Sequence, residues 1–314
     1  MKNIFKILAV LSIFCAFSFG DDFDEAKKAD DEGDYEKAAK LYEKACNSGN
    51  LKACFSLGTM YDFGDGIDQN FEKAAGIYKK ACDKGNTDSC YNLALLYEEG
   101  NGVEQDYTKS IKLYEKACAK DDLDACYNLA LLYENGNGAK QNYAKAAELY
   151  KKGCDKNDLD SCNNLAIFYE DGNGVKQDYK MSAKLYKKAC DNDYATSCYN
   201  LGILYEDGNG VKQDYKMSAK LYKKACAKDD LDACYNLGIL YEDGNGVKSS
   251  YKEAAKLYDN ACNNDHGLSC NNLGVLYEMG NGVKKNKNKA SELYEKACEI
   301  GIDIGCSNYK ELKN

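Results

Sequence analysis

The 314-residue sequence has no proline, a single histidine and few runs of basic residues. A chain without proline is compatible with helices throughout, because proline breaks a helix interior. The lone His266 offers no second ligand class beside the cysteines, so neither a structural zinc site nor a zinc hydrolase centre is expected. The net charge of -9 argues against nucleic acid or an anionic membrane as a partner, since both need a cationic face.

Long apolar segments are also absent beyond the first 20 residues. The opening stretch MKNIFKILAVLSIFCAFSFG has early lysines, an apolar core and the small residues Ser18 and Gly20 before a cleavage site. This pattern predicts a secretory signal peptide over residues 1–20, too short and wrongly flanked for a membrane span. The mature protein is therefore expected to be secreted or periplasmic in a bacterium, with no membrane association after cleavage.

The cysteines are the most regular feature of the chain. Sixteen of the 17 form eight pairs that recur every 36 residues. The pairs are Cys46 with Cys54, Cys82 with Cys90, Cys118 with Cys126, Cys154 with Cys162, Cys190 with Cys198, Cys226 with Cys234, Cys262 with Cys270 and Cys298 with Cys306. Cys15 alone lies outside the repeat; a lipoprotein would use it as the acylated residue, but the bulky Phe14 precedes it. Cleavage after Gly20 would leave an even number of cysteines, as in an all-disulfide protein of an oxidising compartment.

A fixed period of this length is typical of a solenoid of stacked helix pairs. In segments such as FEKAAGIYKKAC, apolar and small residues recur at spacings of three and four, which predicts an amphipathic helix, here called helix B. The segment CYNLALLYEEG and its equivalents form a second helix, helix A, whose small residue Ala94 (Gly202 in a later repeat) lets a neighbouring helix come close. Glycines end helix A, as at Gly100, and form the turn that follows.

Polar residues at fixed positions predict where these helices begin and end. Helix B is expected to start after the N-caps Asp106, Asn142, Asp178 and Asp214. It is expected to end at residues that tolerate the left-handed conformation, namely Gly49, Gly85, Asp121, Asn157, Asp193, Asp229, Asp265 and Gly301. Helix A would then be capped by Asn50, Asn86, Asp122, Asp158 and Asp230.

The predicted fold is all-α, a right-handed superhelix of 36-residue disulfide-stapled helix-turn-helix repeats. The expected organisation is a signal peptide over 1–20, an N-terminal cap and first half-repeat over 21–50, seven repeats over 51–302 and a C-terminal capping helix over 303–314.

Structural disulfides are the favoured interpretation of the cysteine pairs. The first cysteine of a pair lies in the last turn of helix B and the second in the first turn of the next helix A. Each bridge would then staple one repeat to the next and contribute about 2.5 kcal/mol on the chain-entropy model. The alternatives are metal binding and redox chemistry, which prefer cysteines two to four residues apart or a C-x-x-C motif. No metal and no cofactor are expected.

The repeat LALLYEEGNGVEQDYTKSIKLYEKACAKDD resembles the Sel-one-like repeat, a relative of the tetratricopeptide repeat. With a cysteine pair in every unit behind a secretion signal, the chain is similar to the Helicobacter cysteine-rich protein family. That resemblance implies a secreted or periplasmic disulfide-stapled superhelix. It also implies penicillin binding or weak β-lactamase activity, and contact with the host immune system.

The residues themselves give little support to an enzyme. Ser249 and Ser307 each precede a lysine in the S-x-x-K spacing of serine β-lactamases, but the S-D-N and K-T-G elements are missing. Ser249 is expected instead to open a helix B, and His266 to cap a helix A. Catalytic residues are thus unknown, and a weak β-lactamase or penicillin-binding protein is the alternative to a binding scaffold.

The favoured function is the binding of a protein or peptide, host factors included, along the A helices. The chain is expected to be a monomer. A ladder of asparagines can hydrogen-bond an extended peptide, and adjacent tyrosines add apolar contact. The candidate residues are Tyr91, Asn92, Tyr127, Asn128, Asn164, Tyr199, Asn200, Tyr235, Asn236 and Asn272. Packing within the repeat is the alternative role for both columns, and a β-lactam or peptidoglycan-like compound is the alternative ligand.

Overall fold

The computed structural model describes residues 22–313. The predicted signal peptide and Cys15 lie outside the described residues. Within 22–313 the secondary structure is entirely helical, without a β-strand. None of these helices is both long enough and apolar enough to cross a membrane.

Helix α1 covers residues 22–31. The later helices alternate between B type (even numbers) and A type (odd numbers). They are α2 Tyr35–Asn47, α3 Leu51–Phe63, α4 Phe71–Asp83, α5 Thr87–Glu99, α6 Tyr107–Cys118, α7 Leu123–Asn135, α8 Tyr143–Asp155, α9 Leu159–Asp171, α10 Tyr179–Asp191, α11 Ala195–Asp207, α12 Tyr215–Cys226, α13 Leu231–Asp243, α14 Tyr251–Asn263, α15 Gly267–Met279, α16 Lys287–Glu299 and α17 Asp303–Lys313.

The described chain forms two compact units, which divide between Lys152 and Gly153. Unit 1 contains α1–α7 and most of α8, and unit 2 contains the end of α8 and α9–α17. Within each unit, consecutive helices pack side by side as helix-turn-helix repeats. The all-α repeat fold predicted from the 36-residue period is confirmed.

The predicted helix boundaries are confirmed at the backbone level. All eight residues expected to end helix B have positive φ, between 62° at Asp265 and 101° at Gly49. The Asp122 side chain accepts a hydrogen bond from the Ala125 N–H, and that of Asp106 accepts one from the Lys109 N–H. One boundary prediction was wrong. Ser250 rather than Ser249 caps α14, because Ser249 Oγ donates instead to the Glu242 carbonyl at 3.0 Å.

The core of each repeat is a tyrosine of helix B packed against the small residue of helix A. Tyr78, Tyr114 and Tyr258 have no exposed surface. A Cβ atom added to Gly58 would lie 2.4 Å from Tyr78 Cε1, and one added to Gly238 would lie 2.4 Å from Tyr258 Cε1. The small residue in helix A therefore makes room for the aromatic ring of the neighbouring helix B.

All eight predicted cysteine pairs are disulfides, with Cα atoms 4.4 to 4.7 Å apart. Each joins the end of a helix B to the start of the next helix A. The bonds connect Cys46 to Cys54, Cys82 to Cys90, Cys118 to Cys126, Cys154 to Cys162, Cys190 to Cys198, Cys226 to Cys234, Cys262 to Cys270 and Cys298 to Cys306. The pairing agrees with the prediction at every position, and the disulfide-stapled repeat is thus confirmed.

A lysine from the next repeat covers the C-terminal end of most B helices. Lys116 Nζ in α6 donates to the Cys82 carbonyl oxygen at 2.5 Å, and Lys152 Nζ in α8 donates to that of Cys118 at 2.5 Å. The ammonium group adds a charged donor to carbonyls at the negative end of the helix dipole, which already accept a hydrogen bond from the turn that follows the helix. These contacts connect repeats that the disulfides already join.

Candidate functional site

The predicted asparagine ladder lies along the half-buried side of the A helices, where its amides contact core tyrosines. Asn92 Nδ2 donates to Tyr78 Oη at 3.0 Å. Asn128 Nδ2 lies 3.3 Å from Tyr114 Oη and 3.4 Å from Tyr91 Oη. Each amide is thereby oriented by the tyrosine ring that fills the repeat. An asparagine amide has two N–H donors and a carbonyl, so one such contact does not use up its capacity.

The same tyrosine hydroxyls donate to carboxylates at the ends of the A helices. Tyr114 Oη donates to Glu98 Oε2 at 2.9 Å, which completes a chain from Asn128 through Tyr114 to Glu98. We call this arrangement the Asn–Tyr–carboxylate chain. Equivalent tyrosine–carboxylate contacts of 2.6 to 3.1 Å join Tyr78 to Asp62, Tyr150 to Glu134, Tyr186 to Glu170, Tyr222 to Glu206, Tyr258 to Glu242 and Tyr294 to Glu278.

Burial shifts the pKa values of both partners. Desolvation raises the pKa of the Glu98 and Glu170 carboxyls, against the opposing effect of the tyrosine hydroxyl that donates to each. Desolvation and the nearby Glu98 charge raise the pKa of Tyr114 far above its ordinary value. The hydroxyl thus stays a proton donor, and the carboxylate is held in a partly desolvated position at the surface.

In unit 2 the asparagine column keeps its place while some of its partners change. Asn236 lies near Tyr222 and Asn272 near Tyr258, where each amide partly offsets the rise in the pKa of the tyrosine that desolvation causes. Asn200 Nδ2 instead donates to Asn163 Oδ1 at 3.3 Å. Asn164 Oδ1 accepts from Asn163 Nδ2 at 3.4 Å. Asn163 and Asn271 stand where Tyr91, Tyr127, Tyr199 and Tyr235 lie in other repeats, and both are buried. Neither was predicted from the sequence, although their departure from the tyrosine column was a visible signal.

The tyrosines predicted to line the groove pack with one face on the core. Their ring centroids lie 5.7 to 5.9 Å from those of core tyrosines in the pairs Tyr91–Tyr114, Tyr127–Tyr150, Tyr199–Tyr222 and Tyr235–Tyr258. All four are intermediate in exposure. They therefore serve packing and also present a surface beside the asparagines.

Charge is divided between the two helix types. The A helices α3 to α15 carry a single lysine, Lys52, whereas each B helix from α4 to α16 carries two to four lysines. The A helices carry acidic residues at their C-terminal ends in every repeat, such as Glu98 and Glu99 in α5. This carboxylate column was not predicted from the sequence, although the Tyr-Glu that recurs before most of the turns could have indicated it.

We refer to the asparagine and carboxylate columns of the A helices within one unit as the asparagine face. In unit 2 it contains a shallow cavity of about 240 Å³ lined by Ile203, Glu206, Asp207, Asn236 and Ile239, together with Tyr222. An apolar floor, an amide and two carboxylates thus converge at one place. This combination suits a ligand that is both extended and cationic.

The serines considered for catalysis are engaged by the main chain. Ser249 Oγ donates to the Glu242 carbonyl at 3.0 Å, and Ser307 Oγ donates to the Asp303 carbonyl at 3.1 Å. His266 caps α15, as predicted, by accepting at Nδ1 from the Ser269 N–H. The arrangement of these groups is that of helix termini.

These features define a class of protein: a disulfide-stapled helical-repeat scaffold with an ordered polar face on its A helices. The chain belongs to the Sel1 repeat family, whose repeat pattern matches residues 29–50, 51–86, 87–122, 123–158, 159–194, 195–230, 231–266 and 267–302. The resemblance predicted from the sequence is confirmed. Sel1 repeat proteins generally mediate interactions between proteins.

Comparisons with individual proteins agree with this family. HcpD of Helicobacter pylori (strain J99 / ATCC 700824), provisionally named a beta-lactamase, is 46% identical over 48 residues, which is 15% of this chain and 16% of the relative. The match therefore spans about a sixth of that protein.

Two solved structures resemble the whole fold. A protective antigen of uropathogenic Escherichia coli superposes with a TM-score of 0.83 and 29% identity, over 87% of this chain and 59% of that one. A Sel1 repeat protein from Oxalobacter formigenes has a TM-score of 0.83 and 23% identity, over 98% and 91%.

Proposed function

We propose that the protein is a binding scaffold whose asparagine face takes a basic, extended segment of a partner protein. The observation that carries this proposal is the division of charge: lysine is nearly absent from the A helices while carboxylates recur beside the asparagines. An extended chain offers main-chain groups at regular intervals to a regular row of amides. Lysine or arginine side chains of the partner would meet the carboxylate column.

The pre-set geometry of the Asn–Tyr–carboxylate chain supports this function. Because Tyr114 and its equivalents already orient the amides and carboxylates, little side-chain entropy is lost when a ligand arrives. The charged contacts would mainly speed association and select basic partners. Binding should therefore weaken as ionic strength rises.

The test uses a fluorescein-labelled peptide of alternating lysine and threonine as the probe. Fluorescence anisotropy is measured with the oxidised protein and with the double variant Glu206→Gln, Asp207→Asn, which removes two charges from the asparagine face of unit 2. Affinity is expected to fall about tenfold, since each exposed charge contact contributes about 0.5–1 kcal/mol.

The matched control removes the same number of charges from B helices of the same unit, through Asp191→Asn and Glu253→Gln. It should bind the peptide as the unmodified protein does. Equal losses in both variants would mean that only net charge matters, and the proposed site would be rejected.

We also propose that the protein is exported from the cytoplasm. Its chain would consist of a signal peptide, an N-terminal cap with the first half-repeat, seven repeats and a C-terminal capping helix. Eight disulfides require an oxidising compartment, and the E. coli relative is described as a protective antigen. Mass spectrometry of protein recovered from the periplasm and the medium should find the mature chain beginning at Asp21. A mature chain that retains Met1 would contradict cleavage.

β-Lactam hydrolysis or penicillin binding remains the alternative function. It rests on the name of HcpD, matched over 48 residues. Nitrocefin turnover by the pure protein, lost on replacement of one serine, would establish it. A nitrocefin turnover equal to that of buffer would reject hydrolysis and leave binding as the one proposed function.

A further inference from the structure

A second pocket of unit 2 lies between the B helices α10 and α12, over the A helix α11. Its volume is about 460 Å³. Leu201, Tyr205, Met217 and Leu221 give it an apolar floor. A cavity of this size with an apolar lining is within the range of small-molecule sites.

The rim of this pocket is strongly basic, although the chain as a whole is acidic. Lys187, Lys220, Lys223 and Lys224 all line it. Lys187 pairs with Asp191 at 2.6 Å, and Lys224 pairs with the aspartate Asp193 at 2.9 Å.

The other two rim lysines are different. Lys220 and Lys223 are exposed and have no ion-pair partner within residues 22–313. Two uncompensated ammonium groups thus stand beside an apolar floor. The combination of two ammonium groups and an apolar floor is complementary to an anion with an apolar tail.

Unit 1 contains a natural counterpart with the opposite character. Its pocket of about 390 Å³ lies at the equivalent repeat positions and keeps Leu129, Tyr133 and Leu149. Glu115 stands at the position of Lys187, Glu148 at that of Lys220 and Lys145 at that of Met217. The two backbones are alike, and the charges are not.

The tyrosine hydroxyls of the two pockets differ accordingly. In unit 1, Tyr133 Oη donates to Glu115 Oε1 at 2.9 Å and accepts from Lys145 Nζ at 3.3 Å. In unit 2 those partners are replaced by Lys187 and Met217, and Tyr205 Oη has no hydrogen-bond partner in the part of the chain that the structure describes. The Tyr205 hydroxyl can therefore donate a hydrogen bond to a ligand at the edge of the pocket.

We propose that the pocket between α10 and α12 binds the carboxylate of an aliphatic acid. The alkyl chain lies over Leu201, Met217 and Leu221, and the carboxylate accepts hydrogen bonds from Tyr205 Oη and the Lys220 and Lys223 ammonium groups. Each methylene that leaves water strengthens binding, and the ammonium groups select an anionic head.

Sodium decanoate below its micelle concentration is the probe, measured by isothermal titration calorimetry on the oxidised full chain. Decyltrimethylammonium, which has the same alkyl chain and the opposite charge, serves as the ligand control. Saturable binding of decanoate without binding of the cation is expected. No binding of decanoate, or equal binding of both, would overturn the proposal.

The matched variant transfers the unit 1 side chains to unit 2 through Lys187→Glu, Met217→Lys and Lys220→Glu. The same side chains already occupy the equivalent positions in unit 1, so helix content is expected to be kept. Decanoate affinity should fall by more than about tenfold. Unchanged affinity would place the ligand elsewhere.

The reciprocal variant guards against simple loss of folding. Glu115→Lys, Lys145→Met and Glu148→Lys give the unit 1 pocket the side chains of unit 2 at those positions. The number of decanoate molecules bound per chain should double. An unchanged number would show that the lysines and the tyrosine hydroxyl do not suffice to make the site.

Discussion

Tyr114 shows how a single side chain links three helices. Its ring fills the core of a repeat, its hydroxyl donates to Glu98 in α5, and Asn128 in α7 donates to it. The buried ring follows from the helical periodicity of the sequence. The hydrogen bonds do not, because Glu98 and Asn128 lie on different helices and meet only once the repeats are in register.

Replacing Tyr114 with phenylalanine should lower the free energy of unfolding by about 1–3 kcal/mol. The half-buried Glu98 carboxylate would lose its donor, and an unsatisfied polar group in such a position is costly. Urea unfolding followed by circular dichroism measures the change.

Tyr107→Phe is the control, because the Tyr107 hydroxyl contacts only the exposed Gln105 among the hydrogen bonds of the described residues. Its effect should stay within about 0.5 kcal/mol. Equal effects of the two substitutions would refute a special role for the Asn–Tyr–carboxylate chain.

At the scale of elements, helix ends carry much of the information in the sequence. The caps Asp106 and Asp122 and the left-handed residues after helix B were predictable, because each acts on backbone within a few residues of itself. The lysine contacts at the C-termini were not predictable. Lys116 reaches a carbonyl 34 residues away, and only the packing of successive B helices brings the two together.

Lys116→Met should destabilise unit 1 by about 0.5–1 kcal/mol, because it removes a cation from the C-terminal end of α4. Lys112→Met, on the exposed side of α6, should have almost no effect on stability. Native-state hydrogen exchange of the last α4 amides would report the loss locally. Equal protection of these amides in both variants would contradict the capping role.

At the scale of the whole molecule, the buried tyrosines make stability depend on alkaline pH. Desolvation raises the pKa of Tyr78, Tyr114, Tyr222 and Tyr258 well above the ordinary value, and that of Tyr42 to about 12. A tyrosine with a raised native pKa contributes stability that is fully present below about pH 10. That stability is lost as the pH rises towards the native pKa, because the unfolded chain ionises first.

Urea unfolding at a series of pH values should therefore show constant stability up to about pH 10 and a steep decline above it. The expected slope is about 1.4 kcal/mol per pH unit for each tyrosine that remains protonated in the native state. A flat profile above pH 10 would show that these hydroxyls ionise as readily in the folded protein.

The division of charge between A and B helices is also a property of the whole chain. The net charge of -9 gave no sign of it, since that value sums the charges of both helix types. It becomes visible only when each charge is assigned to its helix. The two proposed sites follow from this division, with a basic peptide on the A helices and an aliphatic carboxylate on the B helices.

The most direct measurement of the central claim is a hydrogen-exchange footprint of the oxidised protein with and without the lysine–threonine peptide. Binding to the asparagine face predicts added protection in the A helices, including α11 and α13, and none in the neighbouring B helices α10 and α12. Protection confined to B helices, or no change at a saturating peptide concentration, would contradict it.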